Sequence, residues 1–319
     1  MKIKIICSFI VRSQNFVFVN EEYLPGNCFR KKQNVISKLH LCQKKYQKLF
    51  KNNKPMAKKI AIIGGGNLGT AIAEGLLKSK FCKASDITVT KRKIETLEGL
   101  KEKGVKITSE NAEAVRNSEL VILAVKPYQV SDVLNSFKNG LTEKHILVSV
   151  VTGVLIADIN EIIEKKIPIF RAMPNTAISI QESMTCISYT NAQAEEIDLV
   201  EKIFSTLGKA VVIDEKLMEA ATILGACGTA YAMRFIRASI QGGIEIGFDV
   251  ATANLIVEQT VKGAAELLLQ KRTHPEQEID KVTTPKGCTI AGLNEMEHQG
   301  FSSSLIKGIS VSYNKIAKN

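Results

Sequence analysis

The chain has 319 residues, 45% of them hydrophobic, and a mean hydropathy of +0.03, which excludes a largely disordered chain and allows a core for two domains. Its net charge is +11, but 13 of the 43 Lys and Arg residues and only two of the 32 acids lie in residues 1–58. The remainder is neutral, so we assign the excess to a leader and expect neither a nucleic-acid nor a membrane partner. No run of about 18 apolar residues exists to span a membrane.

Residues 1–55 are expected to form a basic, disordered N-terminal extension. A secretory signal is disfavoured because the apolar run near Cys7 is short and lacks a small-residue cleavage site. A transit peptide fits the acid-poor composition, although Arg and Ser are not enriched. We favour an upstream extension of the reading frame, with Met56 as the working start.

The seven cysteines form no CxxC pair and no regular spacing, so neither zinc nor a disulfide framework is indicated. Scattered thiols indicate a reducing, cytoplasmic setting. His145, His274 and His298 show no metal-like spacing, and we expect them to be surface or capping residues. No metal is predicted.

The first regular segment after the leader predicts a strand, a glycine turn and a helix. Gly64, Gly66 and Gly69 satisfy GxGxxG in the context that a dinucleotide fold requires. Gly64 would allow the tight turn, Gly66 the approach of a pyrophosphate, and Gly69 close packing of the helix on the sheet. The phosphates would bind amides at the helix start, where Asn67 and Leu68 stand. A tight turn without a ligand is the alternative.

The end of the next strand bears on the choice of cofactor. An NAD-type fold places a carboxylate there, about 20 residues past the glycines, to bind the ribose 2′-hydroxyl. Here no acid is present, and Thr90, Lys91 and Arg92 follow one another instead. A hydroxyl and cations favour a 2′-phosphate, so NADPH is predicted over NADH, which stays possible. The alternative is that Lys91 to Lys93 only precede a helix.

The rest of the chain shows two different residue patterns. Strand-like runs (LVILAV, ILVSVV, PIFRA, TCISY) alternate with helical segments until about Val212, and beyond Asp214 the period is helical throughout. Dense Ala and Gly near Gly225 permit close helix packing at a subunit contact. The fold class is therefore α/β: an N-terminal Rossmann-type dinucleotide-binding domain at 56–213, followed by an all-α C-terminal dimerisation domain at 214–319.

Several motifs in this order give a family resemblance. IGGGNLGTAIAEGL, LAVKP, RAMPNT, EQTVKGAA and DKVTTPKGCTIAGLNEME together resemble pyrroline-5-carboxylate reductase, from residue 58 to about 316. The resemblance implies reduction of a cyclic imine carboxylate to L-proline with NADPH, the last step of proline synthesis, in a homo-oligomer built on a helical dimer.

The resemblance also implies a substrate site in TTPKGCT. Amides near Gly287 and Cys288, with the Thr284 hydroxyl, would bind the carboxylate at a helix start. Thr289 would bond the ring nitrogen and is the expected catalytic residue. The alternative reading is that Thr283 or Thr284 only caps this helix.

Other positions carry over by resemblance, with packing or turn formation as the alternative for each. The substrate side would include Met173, Pro174 and Asn175 of the MPNT turn. The cofactor side would include an asparagine near the adenosine ribose, the LAVKP lining, a turn near the nicotinamide and an acid at the domain junction: Asn111, Ala124, Val125, Lys126, Pro127, Val150, Val151, Thr152 and Glu215.

Departures from the family pattern leave other functions open. Lys286 replaces a glycine, and LGACGTAY stands where the family reads L-S-G-S-G-P-A-Y, losing two serines and a proline. The alternatives are a related imine reductase or β-hydroxyacid dehydrogenase-like oxidoreductase, and a non-catalytic regulatory paralogue.

Overall fold

The computed structural model describes residues 58–316. The predicted extension at 1–55, with Met56, lies outside the described residues. Eight strands form one sheet: β1 (Ile60–Ile63), β2 (Ile87–Thr90), β3 (Lys106–Thr108), β4 (Leu120–Leu123), β5 (Ile146–Ser149), β6 (Ile169–Met173), β7 (Ser183–Thr190) and β8 (Gly208–Val212).

Helices cover the sheet and then form the second half of the chain. The first six are α1 (Asn67–Ser79), α2 (Glu98–Glu102), α3 (Asn111–Arg116), α4 (Val130–Phe137), α5 (Ile156–Ile163) and α6 (Ala194–Ser205). The others are α7 (Met218–Ala221), α8 (Gly228–Glu245), α9 (Val250–Lys271), α10 (Pro275–Val282), α11 (Cys288–His298) and α12 (Phe301–Ile316). A π-helix, Thr222–Cys227, joins α7 to α8.

The strand order is β3-β2-β1-β4-β5-β6-β7-β8, and every neighbouring pair is parallel except β6 with β7. Residues 174–182 connect these two strands, a connection too short for the crossover that parallel strands need, so the chain turns back. Helix α6 supplies a full crossover from β7 to β8, which are parallel again.

The sheet is buried on both faces because its central strands are continuously apolar, as in IAII, LVIL and ILVS. One face packs Ile62 and Phe170 against Ile72 and Leu76 of α1 and Phe204 of α6. The other face packs residues of β4 and β5 against α4 and α5, including Phe137 and Ile159. The predicted fold class, a Rossmann-type half followed by an all-α half, is confirmed.

The helical half is apolar on much of its exposed surface. Helices α8 to α12 contain only two buried apolar residues, Ile240 and Ala253, in the described chain. Their exposed large apolar side chains include Met233, Phe235, Leu255, Leu269, Ile306 and Val311. Exposed large apolar side chains on several helices are suited to subunit contact.

Some details differ from the sequence expectations. Helix α10 and the short edge strands β3 and β8 were not named individually by the pattern. His274 does cap α10, accepting from the amide of Glu276 at 3.3 Å, but His145 is buried rather than exposed. Its Nδ1 accepts from the Thr142 amide at 2.9 Å, which leaves Nε2 to donate to the Val115 carbonyl at 3.1 Å.

The described residues contain neither a membrane-spanning helix nor a cluster of metal-binding side chains. None of the helices between residues 58 and 316 is long and apolar enough to cross a membrane. The same part of the chain has no group of three or more His, Cys, Asp or Glu side chains placed to hold a metal ion.

Replacing Phe204 by Ala should lower the free energy of unfolding by about 3–5 kcal/mol, because its ring is 0% exposed between α6 and the sheet. Ile180→Ala is the matched control, since Ile180 is 60% exposed and its loss should change stability by no more than about 0.5 kcal/mol. Denaturant unfolding at one fixed protein concentration measures both, and equal losses would contradict this account of the core.

Candidate active site

The turn between β1 and α1 is held by close backbone approach. Gly64 has φ +112°, and a Cβ there would overlap the carbonyl of Ala124. A Cβ at Gly69 would overlap the Gly64 carbonyl. The amides of Gly64 and Gly65 donate to the Thr90 carbonyl at 3.2 and 2.7 Å, which fixes the turn to the end of β2. The geometry thus requires glycine at both positions: Gly64 forms the tight turn that was predicted, whereas Gly69 is required mainly by the carbonyl of that turn and not by packing of the helix on the sheet.

Gly66 differs from these glycines because nothing lies within 4 Å of the position its Cβ would occupy. It is the N-cap of α1, with no side-chain capping bond and no acid in the first turn. The amides of Asn67, Leu68 and Gly69 therefore have neither an intrahelical nor a side-chain acceptor. Open space before free N–H groups is what a pyrophosphate requires, so these residues fit a dinucleotide.

At the adenosine end, the end of β2 has a different arrangement from the one expected. Thr90 is 2% exposed, and its hydroxyl donates to Asn111 Oδ1 at 2.7 Å. The Asn111 amide in turn donates to Ser136 Oγ at 3.4 Å. The hydroxyl proton of Thr90 is therefore used to orient Asn111. Lys91 is half-buried and Arg92 is exposed, and neither makes an ion pair within residues 58–316.

Further along the sheet edge, the loops after β4 and β5 begin at the same carboxyl edge as the glycine turn. The Ala124 amide donates to the Ile63 carbonyl at 2.8 Å, and the Val150 amide donates to the Leu123 carbonyl at 3.0 Å. Ala124 and Val125 are half-buried, whereas Lys126 and Pro127 are exposed. Val151 is buried and Thr152 is exposed, with its Oγ1 3.9 Å from the Met173 sulfur.

This contact brings the predicted cofactor and substrate residues together at the MPNT turn. Met173 and Pro174 are buried. The Asn175 side chain accepts from the Ala177 amide at 3.0 Å and donates to the Gly225 carbonyl at 3.1 Å. Asn175 therefore joins the sheet to the π-helix, a role that the sequence did not indicate. One N–H of its amide remains for another acceptor.

A buried arginine was missed by the sequence analysis. Arg171, in the middle of β6, is 1% exposed and donates from Nη1 to Glu215 Oε1 and from Nη2 to Glu219 Oε1, each at 3.1 Å. Glu215 Oε1 also accepts from the amide of Ile156 at 2.9 Å. The signal was a charged residue inside an otherwise apolar strand, where only a paired charge is tolerated.

A groove of about 620 Å³ lies between β7 and the π-helix region. Its lining is mainly apolar, and Asn175 and Thr229 are its hydrogen-bonding side chains besides the Cys186 thiol. Burial raises the pKa of the Cys186 thiol, which keeps it protonated at neutral pH. Gly225 and Cys227, which replace the family's two serines, lie in the π-helix, and Ala226 between them packs beside Met173 and Cys186.

The turn before α11 presents an uncapped helix start. Gly287 is the N-cap and makes no side-chain capping bond, whereas Thr283 ends α10, so the reading in which Thr283 or Thr284 caps this helix is wrong. A Cβ at Gly287 would press on the Thr284 hydroxyl, which explains the glycine. Cys288 and Thr289 follow as exposed residues of the first turn.

Lys286 occupies a position that suits glycine. Its φ is +60°, in the left-handed region, where a side chain costs roughly 1 kcal/mol. The resemblance places a glycine here, and the backbone shows why. The turn keeps its shape in this chain despite the lysine, because the Gly287 amide still donates to the Thr284 carbonyl at 2.9 Å.

The described chain thus assembles one part of the predicted site and leaves another apart. The first part lies along the carboxyl edge of the sheet and consists of the glycine turn, Thr90, Asn111, the two loops, the MPNT turn and Glu215. Helix α11 packs extensively only against α12 among the described elements, and no hydrogen bond joins residues 284–289 to residues 58–212. Within one chain, the two parts are not brought into contact by these bonds.

A Rossmann sheet with an open glycine turn, joined to a helical half with an unpartnered apolar surface, defines a dinucleotide-dependent oxidoreductase that assembles through its helices. Comparisons with known proteins agree with this class. Residues 215–319 match the family described as pyrroline-5-carboxylate reductase dimerisation, and residues 59–153 match NADP oxidoreductase coenzyme F420-dependent.

Individual relatives are more specific. Pyrroline-5-carboxylate reductase 2 of Dictyostelium discoideum is 45% identical over 286 residues, covering 85% of this chain and 94% of the relative. Pyrroline-5-carboxylate reductase 1 of the same organism is 50% identical over 270 residues, covering 81% of this chain but only 49%, about half, of that protein. The crystal structure of Plasmodium falciparum pyrroline carboxylate reductase with NADP bound has a TM-score of 0.74 at 26% identity, covering 81% and 97% of the two chains. The chain belongs to the pyrroline-5-carboxylate reductase family.

Gly66→Ala should raise the dissociation constant for NADPH at least about tenfold while changing the free energy of unfolding by less than about 1 kcal/mol. The added methyl group meets no protein atom within 4 Å, and φ −79° suits alanine, so only a ligand would be displaced. Cofactor fluorescence titration and thermal unfolding measure the two effects.

Gly99→Ala is the control for this experiment, because that exposed glycine also has nothing within 4 Å but lies in α2, away from the turn. If Gly66→Ala and Gly99→Ala bind NADPH with the same affinity, the space before α1 does not hold the pyrophosphate.

Proposed function

We propose that the chain reduces 1-pyrroline-5-carboxylate to L-proline, with hydride from NADPH, at a site formed by the carboxyl edge of the sheet in one chain and the first turn of α11 from a second copy. The observation that carries this proposal is the uncapped start of α11, where Gly287 makes no side-chain bond and the adjacent Thr284 hydroxyl has no hydrogen-bond partner within the described residues. A small anion could accept hydrogen bonds from the free amides and from this hydroxyl.

The substrate carboxylate would bind the free amides that follow Gly287, with the Thr284 hydroxyl as an additional donor. Amides at the first turn of a helix lack intrahelical acceptors, and the helix dipole favours negative charge there. Cys288 contributes its backbone amide rather than its side chain in this arrangement. Lys286, one residue before the cap, adds a positive charge to the same turn.

Thr289 would hydrogen-bond the ring nitrogen of the imine. NADPH, when bound, supplies the hydride that reduces the C=N carbon. The task of Thr289 is to hold the ring in one orientation and to accompany the nitrogen as it gains a proton. Since an imine is readily protonated in water, no strong acid is required, and this agrees with the absence of a histidine from the residues that line the crevice.

The cofactor would lie along the carboxyl edge of the sheet. Its pyrophosphate would bind at Gly66, Asn67 and Leu68, and its adenosine ribose near Asn111. Lys91 and Arg92, which form no ion pair within residues 58–316, favour a 2′-phosphate and thus NADPH. The loop at Val150–Thr152 and Glu215 would border the nicotinamide, beside Met173.

The boundaries proposed for this activity are a dinucleotide-binding domain at 56–213 and a helical substrate-binding and dimerisation domain at 214–319. The family match at 215–319 supports the second, and the exposed apolar surface of α8 to α12 supports a dimer as the unit of assembly. A cytoplasmic location stays a prediction.

The direct test is an assay of the chain beginning at Met56 with the cyclic imine and either NADPH or NADH, followed at the nicotinamide absorbance. Cofactor oxidation that requires the imine supports the proposal. Tight NADPH binding without turnover would instead identify a regulatory paralogue, and oxidation with other imines but not this one would identify a related reductase.

Thr289→Val should lower kcat by roughly 10- to 100-fold, because it removes the hydroxyl bond to the ring nitrogen at nearly constant volume. The NADPH dissociation constant should stay the same. Thr289→Ser is the control that restores the hydroxyl and should recover most of the rate. Unchanged turnover in the valine variant would remove Thr289 from the mechanism.

Thr90 and the cations after it should affect cofactor selection differently. Lys91→Ala and Arg92→Ala should raise KM for NADPH by roughly tenfold and leave KM for NADH unchanged, because the lost partner is the 2′-phosphate. Thr90→Val should raise both KM values by a similar factor, because its buried hydroxyl orients Asn111. A Thr90 variant that discriminates between the cofactors would place its hydroxyl on the phosphate instead.

A further inference from the structure

Arg171 is not among the residues that would touch substrate or cofactor, yet it is a fully buried cation at the centre of the site region. Its two terminal nitrogens bind Glu215 and Glu219, whose side chains are 32% and 20% exposed. The group carries one positive and two negative charges. Both carboxylates belong to the short segment that leads from the sheet into the helical half.

Glu215 and Glu219 differ in what else they hold. Glu219 is bound through Arg171 alone among the hydrogen bonds of the described residues, whereas Glu215 Oε1 also accepts from the amide of Ile156 at 2.9 Å. Ile156 is the first residue of α5, so the carboxylate lies at a helix N-terminus, where a negative charge is favourable. Glu215 therefore ties three segments together: β6, the start of α5 and the turn Glu215–Leu217.

The segment held by this bond is the loop that leads from β5 to α5. At its start the Val150 amide donates to the Leu123 carbonyl, and at its end Ile156 is held by Glu215. Between them, Gly153 has φ +74° and Thr152 contacts the Met173 sulfur. The loop thus has two fixed ends and a bend that glycine permits, and its middle faces the MPNT turn.

We infer that Arg171 is a positioning residue for hydride transfer. It orients the Glu215 carboxylate towards the first amide of α5, and this hydrogen bond holds the Val150–Leu155 loop against the MPNT turn. This inference rests on the function proposed above. Without the two-pronged guanidinium, which binds both carboxylates at once, Glu215 would lose the hydrogen bond that fixes its direction, and it would gain by turning towards water and releasing Ile156.

Arg171 should affect the binding of the two halves of the cofactor differently. The adenosine half would bind at the glycine turn and Asn111, which Arg171 does not contact. The nicotinamide half borders the held loop. Loosening the loop should therefore impair the geometry of the reacting atoms, to which rate is sensitive, and spare the affinity for NADPH.

The experiment compares Arg171→Lys, Glu215→Gln and Glu219→Gln. Arg171→Lys keeps the charge but cannot reach both carboxylates in parallel. It and Glu215→Gln should lower kcat on the order of tenfold or more. In Arg171→Lys, which replaces no residue assigned to the cofactor, NADPH affinity should stay within about threefold of the original. Glu219→Gln, the matched control, changes the same charge next to the same arginine without touching Ile156, and it should keep kcat within about threefold.

Backbone hydrogen exchange provides a readout that does not require activity. In Arg171→Lys and Glu215→Gln, amides of residues 151–156 should exchange at least about tenfold faster, and those of residues 60–76 should be unchanged. In Glu219→Gln neither region should change. Normal exchange together with normal kcat in Arg171→Lys would overturn the inference. It would also be overturned if all three variants lost kcat equally and in proportion to their loss of stability.

The two proposals can fail separately. If the original chain does not reduce the imine, the proposed function is wrong, and the exchange pattern still reports whether Arg171 holds the loop. If the chain is active and only the exchange and kcat predictions fail, Arg171 is a structural ion pair and the proposed function stands.

Discussion

One buried cation joins the sheet to the segment that begins the helical half. Arg171 enters from β6, and Glu215 and Glu219 meet it from the segment that begins the helical half. Around this charged group, Met173 and Cys186 pack against Met218, and further up Asn175 donates to the Gly225 carbonyl. Apolar contact alone would allow these elements to slide, whereas paired charges and a hydrogen-bonded carbonyl fix both direction and register. The position of the MPNT turn follows from this attachment.

Two helix starts with the same chemistry occur in this chain. Gly66 begins α1 and Gly287 begins α11, and neither helix has a side-chain cap. Natural helices usually satisfy these amides with Ser, Thr, Asp or Asn, as α9 does with Asp249. Helices α2 and α3 also lack a side-chain capping bond, so the feature that sets α1 and α11 apart from them is the glycine at the N-cap, which leaves room for an anion to accept from the free amides. One start suits a pyrophosphate and the other a carboxylate, which is what a reductase of a small imino acid must bind together.

What the sequence could predict depended on how local the physical cause was. The positive φ of Gly64 and the close approach of Gly69 to the Gly64 carbonyl both arise within one turn, so the motif predicted glycine at these positions. The hydrogen bond made by the Thr90 hydroxyl was not predicted, because its partner, Asn111, stands 21 residues further along the chain. Arg171 was visible as a charge in an apolar strand, but its partners lie 44 and 48 residues away. The π-helix at Thr222–Cys227 had no signal in the residue pattern, since it is set by packing on β7 and by Asn175.

The exposed apolar side of the last five helices links their stability to a second chain. Among the described residues most of their large apolar side chains are exposed, so burial against a neighbouring copy would add to the free energy that stabilises them. Stability should then rise with protein concentration, and a newly made chain would depend on meeting another before its second half is secure. A damaged copy would also weaken its sound neighbour, because each would complete the core of the other.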